Sequence, residues 1–384
     1  MRSLQIIEQS RAEVNLAVLP PAMAESLRLR ARVRSTHFST RIEGNRLTLV
    51  EAEQAVLDGR QFPGRERDTL EVQHYFQALE LVESWVEQGV LINEERIRKL
   101  HAVIFSGKRA RPTLYRDGQN AVRDGRGGLV YLPPEAKDVP ALISELVTWI
   151  RQAEGNQPVP VLAGLAHYQF VTIHPYFDGN ARTARALATW ILYRGGYDLG
   201  RFYALEEFYV QDLAGYYDAL VTHPHHNYYE GRAAADITPW LAYFLKGMAA
   251  VFASVAGEVR SRAVEADPQA EALLRRLDRR GRMVLGLFER QDEITANDAA
   301  RILGLSPRQV RDLLASWVEA GWLVIGNPAR KSRRYRLSAE YRRFIGGRIV
   351  TIRKTKLTLC VPRELHENAQ RFAVEPITIP SSAG

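Results

Sequence analysis

Apolar residues recur at helical spacing along most of this chain. Between residues 70 and 90, apolar side chains three or four positions apart mark one face of a helix. These side chains are Val72, Tyr75, Phe76, Leu79, Val82 and Val86. Residues 142–151, 162–173 and 183–194 show the same period. The pattern predicts a mainly α-helical protein.

A short segment with strand-like composition interrupts the predicted helices. Residues 119–122 and 129–132 flank a glycine-rich turn at residues 124–128, and Pro133 and Pro134 end the second run. Two short apolar runs joined by such a turn are typical of a β-hairpin. We therefore expect a small hairpin attached to the helical domain.

Residues 270–340 predict a second, smaller unit. Thr295 can cap a first helix there, and Ser306 can cap a second helix that has Pro307 at its first position and ends near Gly321. Two short apolar runs after the second helix are predicted strands. This order of elements resembles a winged helix.

The resemblance to a winged helix implies a contact with DNA. The second helix, with Arg308, Gln309 and Arg311, would enter the major groove. Residues 328–356 contain eleven Lys or Arg and a single acid, whereas the rest of the chain carries 41 basic and 43 acidic residues. Such a segment suits nucleic acid or an anionic surface. A protein–protein module with a solvated basic arm is the alternative.

Length and composition limit the class of protein. The 384 residues, 46% hydrophobic and 25% charged, favour two or three soluble domains. The single cysteine, Cys360, excludes an intramolecular disulfide and a multi-cysteine zinc site. The N-terminus meets Glu8 before any apolar stretch, unlike a signal peptide, and no apolar run approaches the ~20 residues that span a bilayer. We expect a cytoplasmic protein without a membrane partner.

The clearest chemistry lies in HPYFDGNARTAR at residues 174–185, which we call the signature segment. It lies between two predicted helices, so it forms a loop that runs into a helix N-terminus, where unpaired N–H groups favour an anion. His174 can take up a proton near neutral pH, and Asp178 suits Mg²⁺. Arg182 and Arg185 lie one turn apart and can both reach a charge at the helix start. The combination predicts phosphoryl or nucleotidyl transfer.

The signature segment resembles the motif of the Fic family, His-Pro-Phe-x-Asp/Glu-Gly-Asn-Gly-Arg-x-x-Arg, and departs from it at two defined positions. Tyr176 stands in place of phenylalanine, and it can anchor the loop in the core if its hydroxyl finds a partner. Ala181 stands in place of the second glycine. If that position needs a positive φ, alanine costs about 1 kcal/mol and loosens the anion site. These departures bear on catalytic efficiency more than on fold.

The resemblance implies a protein adenylyltransferase, with ATP as co-substrate and another protein as acceptor. His174 would deprotonate the target hydroxyl, and Asp178 would hold Mg²⁺ on the α- and β-phosphates. The hydroxyl would attack the α-phosphorus and expel pyrophosphate, so that catalysis consists mainly of positioning and charge stabilisation.

The same resemblance assigns the rest of the signature segment to the nucleotide. Gly179, Asn180 and Ala181 would form the anion hole. Arg182 would contact the β-phosphate, and Arg185 would contact the γ-phosphate.

Two further regions resemble parts of Fic proteins. The hairpin resembles the flap of the family, which binds a target segment by β-strand addition. The second run of this flap is Leu129, Val130, Tyr131 and Leu132. Tyr216 and Tyr217 fall where relatives place an aromatic side chain near the adenine. Ordinary helix packing explains these two tyrosines equally well.

Residues 39–45, STRIEGN, resemble the inhibitory motif of the family, Ser/Thr-x-x-x-Glu-Gly/Asn, and we call them the inhibitory segment. Ser39, Glu43 and Gly44 match its defined positions. In such relatives the glutamate pairs with the second arginine of the motif, here Arg185, and blocks a productive ATP pose. A surface helix cap is the alternative. Some inhibited relatives also remove AMP, with the glutamate positioning water.

Together these patterns predict a mainly α-helical fold in four parts. These are an N-terminal helical region with the inhibitory segment (1–95), a Fic-type core with the hairpin flap (96–255), a winged helix (270–340) and a basic tail (341–384). The predicted function is protein adenylylation restrained by Glu43. The alternatives are transfer of UMP, phosphocholine or phosphate, removal of AMP, and a DNA-binding regulator whose core senses nucleotide. The sequence leaves a homodimer open.

Overall fold

A computed structural model gives the architecture of the chain. It describes residues 2–17, 19, 21–123, 127–222, 227–230, 235–262, 276–289, 291–303, 305–327, 333–342 and 374–376. Contacts divide the chain into a first unit of residues 1–11, 31–254 and 361–384 and a second unit of residues 12–30 and 255–360. The four predicted domain ranges stay predictions.

Several sequence predictions fall outside the described residues. They concern the turn at residues 124–126, most of the basic residues at 328–356, Cys360, and nearly all of the basic tail.

Helices dominate the chain up to residue 262, as the apolar period predicts. They are α1 (Arg2–Leu16), α2 (Pro21–Ile42), α3 (Leu49–Leu57), α4 (Glu66–Glu87), α5 (Glu94–Ser106), α6 (Val139–Ala153), α7 (Val159–Ile173), α8 (Asn180–Arg194), α9 (Leu205–Gln211), α10 (Leu213–Leu220) and α11 (Thr238–Arg262). Helices α7 and α8 pack against each other, with α4 and α5 against α8 and α6 against α7. The loop between α7 and α8 therefore joins two helices that both lie inside the helical core.

Local sequence explains where these helices begin. Thr48 and Glu51 form a reciprocal capping box at the start of α3, and the side chain of Asn93 accepts from an N–H in the first turn of α5. Inside the core, Phe170 and Trp190 are fully buried. The helices predicted from the apolar period are confirmed as α4, α6, α7 and α8.

The predicted hairpin is present, with a third strand that the sequence did not indicate. Strands β1 (Asn120–Arg123) and β2 (Leu129–Tyr131) pair antiparallel, with Val122 opposite Tyr131. Strand β6 (Val374–Pro376) pairs antiparallel with the other edge of β1. The order in this sheet is β2-β1-β6.

The second unit contains elements that the sequence did not indicate, as well as the two predicted helices and, after them, the two predicted strands. These are α12 (Arg279–Leu285), a 3₁₀ turn (Gly286–Glu289), β3 (Ile294–Thr295), α13 (Ala296–Leu303), α14 (Pro307–Glu319), β4 (Leu323–Asn327), β5 (Arg334–Leu337) and α15 (Ala339–Arg342). The strands form a sheet in the order β3-β5-β4. Ser306 and Gln309 form a capping box at the start of α14, where Pro307 occupies the first turn. Trp317 and Trp322 pack with ring centroids 5.2 Å apart.

Helix α11 differs from the expectation that no apolar run is long enough for a bilayer. It contains an 18-residue stretch with a mean hydropathy of 1.4, so its length and composition alone would suit a membrane. Within the protein, 44% of that stretch is buried. Trp240, Phe244 and Phe252 on this helix are fully buried. The core helix of a soluble protein passes the same test, so the stretch is weak evidence for a membrane span.

Candidate active site

The signature segment begins with a left-handed residue at the end of α7. His174 has φ 52° and ψ 58°, which is uncommon for a residue other than glycine. Arg116 holds this turn, because its Nε donates to the carbonyl of His174 and its backbone N–H donates to the carbonyl of Pro175, both at 2.9 Å. Arg116 is itself buried. No sequence motif marks Arg116, so its role could not be predicted.

Asn180 and Asn120 brace the middle of the loop. The Oδ1 of Asn180 accepts from the N–H of Tyr176 at 2.9 Å, and its Nδ2 donates to the carbonyl of Tyr176 at 2.8 Å. Asn120, at the start of β1, donates to the same carbonyl at 3.0 Å. The side chain of Asn180 is therefore occupied, and only its backbone N–H is left for the anion hole that the sequence predicts.

His101 on α5 supports the same loop from below. Its Nε2 lies 2.9 Å from the carbonyl oxygen of Asp178. Because a carbonyl oxygen can only accept, Nε2 of His101 is the donor of this hydrogen bond. Its Nδ1 lies 2.9 Å from Oγ1 of Thr113. Its ring stacks on Tyr176, with centroids 3.6 Å apart. The hydroxyl of Tyr176 has no hydrogen-bond partner among the described residues. The condition set for tyrosine, a partner for its hydroxyl, is therefore not met among the described residues, and Tyr176 is held in the core through its ring contact with His101.

The two ring nitrogens of His174 have different surroundings. Its Nδ1 lies 3.2 Å from the carbonyl of Val171, so we assign the proton to Nδ1. Its Nε2 is buried without a partner in the described part of the chain. Burial lowers the pKa of His174 to about 4, although the Val171 carbonyl opposes the shift. The imidazole is thus neutral at neutral pH, with the lone pair of Nε2 able to accept a proton.

Asp178 presents an exposed carboxylate at the start of α8. Its side chain is 48% exposed, and its Oδ1 accepts from the N–H of Gly179 at 2.5 Å and from Arg182 at 3.2 Å. Such an oxygen suits Mg²⁺, which takes few carboxylates and completes its shell with water and phosphate oxygens. Among the described residues, no group of three His, Cys, Asp or Glu side chains could hold a metal by itself.

The first turn of α8 explains both the glycine and the alanine of the signature segment. Gly179 has φ 77°, and a Cβ there would lie 3.2 Å from Nε2 of His101. Ala181 lies within α8 and is absent from the residues of positive φ found in the described chain. The strain considered for Ala181 is therefore not present. The first N–H groups of a helix have no partner within it, so the start of α8 is suited to bind an anion.

Arg185 on α8 contacts the inhibitory segment. Its Nη2 donates to Oε1 of Glu43 at 2.8 Å and to the carbonyl of Ser39 at 2.9 Å, and its Nε donates to Oγ of Ser39 at 2.9 Å. The side chain of Arg185 is 1% exposed, and that of Glu43 is 30% exposed. Burial alone would lower the pKa of Arg185, but Glu43 and two nearby tyrosines raise it above its usual value. Gly44, at φ 91°, ends the helical path directly after Glu43.

A cavity of about 150 Å³ brings several of the predicted site residues together. Its walls include Glu43 of the inhibitory segment, His174 and Ala181 of the signature segment, Val130 and Tyr131 of the flap, and Tyr216 and Tyr217 of α10. Tyr216 is 1% exposed and stacks on Tyr209, with centroids 4.9 Å apart. The hydroxyl of Tyr217 lies 3.5 Å from the carbonyl of Ile42. Both tyrosines therefore combine a place in the cavity wall with ordinary packing.

The flap contributes only part of its second run to this cavity. The hydroxyl of Tyr131 donates to the carbonyl of Thr172 at 2.7 Å and so fastens the flap to α7. Leu129 is 52% exposed. The carbonyl of Leu132 accepts from the N–H of Tyr228 at 3.0 Å. Leu129 and Leu132 are not among the described residues that line the cavity.

Comparisons with known proteins agree with this geometry. The sequence profile of the Fic/DOC family matches residues 91–192. The protein adenylyltransferase Fic of Drosophila mojavensis is 28% identical over 170 residues, which are 42% of this chain and 32% of that protein. The protein of the same name from Drosophila yakuba is 25% identical over 205 residues, which are 51% of this chain and 39% of that protein. The chain thus spans about a third of the length of the curated relatives it matches.

Two solved structures share the fold. A Fic family protein from Desulfovibrio desulfuricans aligns with 88% of this chain and 95% of its own, with a TM-score of 0.52 and 26% identity. A Fic domain containing signaling protein from Bacteroides thetaiotaomicron covers 68% of this chain and 99% of its own, with a TM-score of 0.54 and 21% identity, which shows the fold alone. The profile match, the loop geometry and the first of these structures lead to one conclusion: the chain carries a Fic domain over residues 91–192.

Proposed function

We propose that the Fic domain transfers AMP from ATP to a hydroxyl group of a protein, and that Glu43 restrains this transfer. The observation that carries the proposal is that His174, the first turn of α8 and Glu43 share the wall of one cavity. The curated relatives that match this part of the chain are named adenylyltransferases, which supports AMP as the transferred group.

Different groups of the signature segment would stabilise the phosphate charge and accept the proton. The phosphates of ATP would lie at the first turn of α8, where unpaired N–H groups and the guanidinium of Arg182 offset their charge. Nε2 of His174 would accept the proton of the target hydroxyl while its oxygen bonds to the α-phosphorus. The bond between the α-phosphorus and the bridging oxygen breaks, and pyrophosphate leaves. Because the pKa of His174 is lowered to about 4, the base is unprotonated before the target arrives.

Asp178 would hold Mg²⁺, because its exposed carboxylate stands at the start of α8. The bound ion would add positive charge beside the α- and β-phosphates. ATP and Mg²⁺ are thus the proposed co-substrate and cofactor.

Glu43 would restrain the reaction by occupying Arg185. The proposed partner of this arginine in catalysis is the γ-phosphate, which has the same charge sign as the Glu43 carboxylate. Two anions cannot both take the same face of one guanidinium, so ATP would reach its productive position only after Glu43 has left. This order is supported by the burial of Arg185 and by its three hydrogen bonds to Ser39 and Glu43 of the inhibitory segment.

The flap would present the target to His174 by β-strand addition. Both edges of the flap already have partners, because β6 pairs with β1 and Asn227 forms a bridge with Leu132. A target segment would therefore have to replace one of these two partners.

Mass spectrometry of the purified chain after incubation with ATP and Mg²⁺ tests the proposal. We expect an addition of the mass of AMP on Glu43→Gly, little on the wild type, and none when Glu43→Gly is combined with His174→Ala. Equal additions on the wild type and Glu43→Gly would contradict the role of Glu43. A nucleotide panel on Glu43→Gly distinguishes AMP from UMP, phosphocholine or phosphate, and a premodified sample tests removal of AMP.

DNA binding by the second unit is a second candidate function, favoured by the exposed face of α14. Arg308, Gln309 and Arg311 are all exposed there. On β5, Arg334 and Arg336 are exposed too, but Glu293 pairs with both and reduces their net charge. Gel shifts with duplex DNA over a salt series test this candidate. A weak dependence on salt, or no change in Arg308→Ala with Arg311→Ala, would argue against phosphate contacts by α14.

A further inference from the structure

One face of α2 carries a polar contact that the inhibitory motif does not include. Ser35, Ser39 and Glu43 follow one another at four-residue spacing, so they lie on the same side of the helical path. Ser39 and Glu43 hold Arg185. Ser35 is also buried, but its Oγ donates to Oε2 of Glu206 at 2.8 Å. The helix before Glu43 is therefore fixed at a second point, away from the cavity.

Glu206 is unusual for a carboxylate at a helix start, because it is only 2% exposed. Its Oε1 accepts from the hydroxyl of Tyr75 at 3.3 Å. No described Lys or Arg lies within ion-pair distance of this carboxylate. Burial raises the pKa of Glu206, against the hydrogen bond from Ser35 and the charge of Arg185. A buried acid without an ion-pair partner is costly and is usually retained for a specific arrangement rather than for stability.

Tyr75 on α4 gives Glu206 a second hydrogen bond. It is fully buried, and its hydroxyl donates to Oε1 of Glu206. Glu206 thus accepts hydrogen bonds from Ser35 on α2 and from Tyr75 on α4. One helical turn after Ser35, Ser39 binds the guanidinium that Glu43 occupies.

The neighbouring acid on α9 offers a natural comparison. Glu207 also contacts α2, through an ion pair with Arg34. Both side chains of this pair are about one third exposed, at 33% and 29%, and exposed pairs of this kind contribute little. Glu207 has no described contact with Ser39 or Arg185.

We infer that Glu206 is a positioning residue for inhibition: held together with Tyr75, it fixes Ser35 and so keeps the helical path on which Glu43 reaches Arg185. The inference rests on the proposed function of Glu43. Because Glu206 lies outside the cavity wall, its loss would free the inhibitory segment without removing a group that contacts ATP or the target.

The test compares Glu206→Ala and Glu206→Gln, each alone and with Glu43→Gly, and uses Glu207→Gln as the matched control. The initial rate of AMP incorporation is measured with ATP and Mg²⁺, and hydrogen exchange of residues 35–43 is measured without nucleotide. Loss of two hydrogen bonds predicts a rate about tenfold above wild type for Glu206→Ala, with faster exchange. Glu206→Gln keeps one acceptor oxygen and should give a smaller rise. Glu207→Gln should change neither quantity.

The double variants separate inhibition from a structural role. With Glu43→Gly present, Glu206→Ala should add nothing to the rate, because the restraint has already been lost. A lower rate in both backgrounds, or unchanged exchange of residues 35–43, would overturn the inference. If Glu206→Ala does not fold, Glu206→Gln carries the same comparison. Failure of Glu43→Gly to transfer AMP would overturn the proposed function instead, and the exchange of residues 35–43 would still decide the role of Glu206.

Discussion

Replacing Glu43 with alanine should raise the rate of AMP transfer about 30-fold. The change removes one charge-assisted hydrogen bond of 2.8 Å to a guanidinium that is 1% exposed. Hydrogen bonds to charged groups contribute about 1.5–3 kcal/mol, and the 30% exposure of Glu43 argues for the lower half of that range. A contribution of about 2 kcal/mol corresponds to a factor of about 30 in the fraction of molecules with Arg185 available to ATP.

The rate is best measured as single-turnover incorporation of labelled AMP at saturating ATP and Mg²⁺. Glu43→Gln keeps an acceptor oxygen without the charge, so its rate should fall between wild type and Glu43→Ala. Thermal unfolding gives an independent measurement, because Glu43→Ala leaves the buried guanidinium of Arg185 with Ser39 as its only hydrogen-bond partner among the described side chains and backbone groups. Its free energy of unfolding should fall by about 2 kcal/mol, and ATP should stabilise it more than wild type.

Two results would refute this reasoning. A rate for Glu43→Ala within about threefold of wild type would show that the contact with Arg185 does not limit the productive position of ATP. An equal stabilisation of both proteins by ATP would show that the nucleotide does not compete with Glu43. Glu207→Gln, which alters another ion pair of α2, is the control for nonspecific loosening of the helix.

Three further predictions concern the loop and its histidines. Tyr176→Phe removes a buried hydroxyl without a described partner, so the free energy of unfolding measured with denaturant should rise by about 1 kcal/mol. AMP transfer should be retained, and a loss of stability would reveal a hydrogen-bond partner of the hydroxyl. Ala181→Gly should lower the free energy of unfolding by up to about 1 kcal/mol without speeding AMP transfer, because the position is helical. A faster rate of transfer would contradict this. Burial lowers the pKa of His101 and His174 to about 4 and that of His167 to about 3. As pH falls, these histidines therefore bind protons in the unfolded chain at a higher pH than in the folded protein. The free energy of unfolding should fall as pH drops from about 6.5 to 4, by up to about 1.4 kcal/mol per histidine per pH unit. Denaturant titrations across that range measure the loss, and a flat profile would contradict it.

The helices and the signature segment could be predicted because their signals are local. The apolar period of α6, α7 and α8 and the caps at Thr48 and Ser306 involve residues within a few positions of one another. Arg116 and Glu206 gave no such signal. Arg116 lies 58 positions from His174, and Glu206 lies 171 positions from Ser35, so their contacts depend on how the helices pack.

The two departures from the Fic motif show why a substitution needs its backbone context. Ala181 causes no strain because the residue is already helical, whereas the positive φ falls on Gly179 and His174. Tyr176 fits because its ring stacks on His101, a residue 75 positions away that the motif does not include. Sequence alone identified both positions and could not give the consequence of either.

The contact between α2 and α8 also affects how such a protein can evolve. Ser35, Ser39 and Glu43 are encoded well before the Fic domain at residues 91–192, and the side chain of Glu43 reaches solvent while that of Arg185 does not. Under the proposed function, single codon changes in residues 35–43 would alter the resting activity while the catalytic residues stay intact. Selection can thus adjust the basal level of modification in small steps and leave the chemistry of residues 174–185 unchanged.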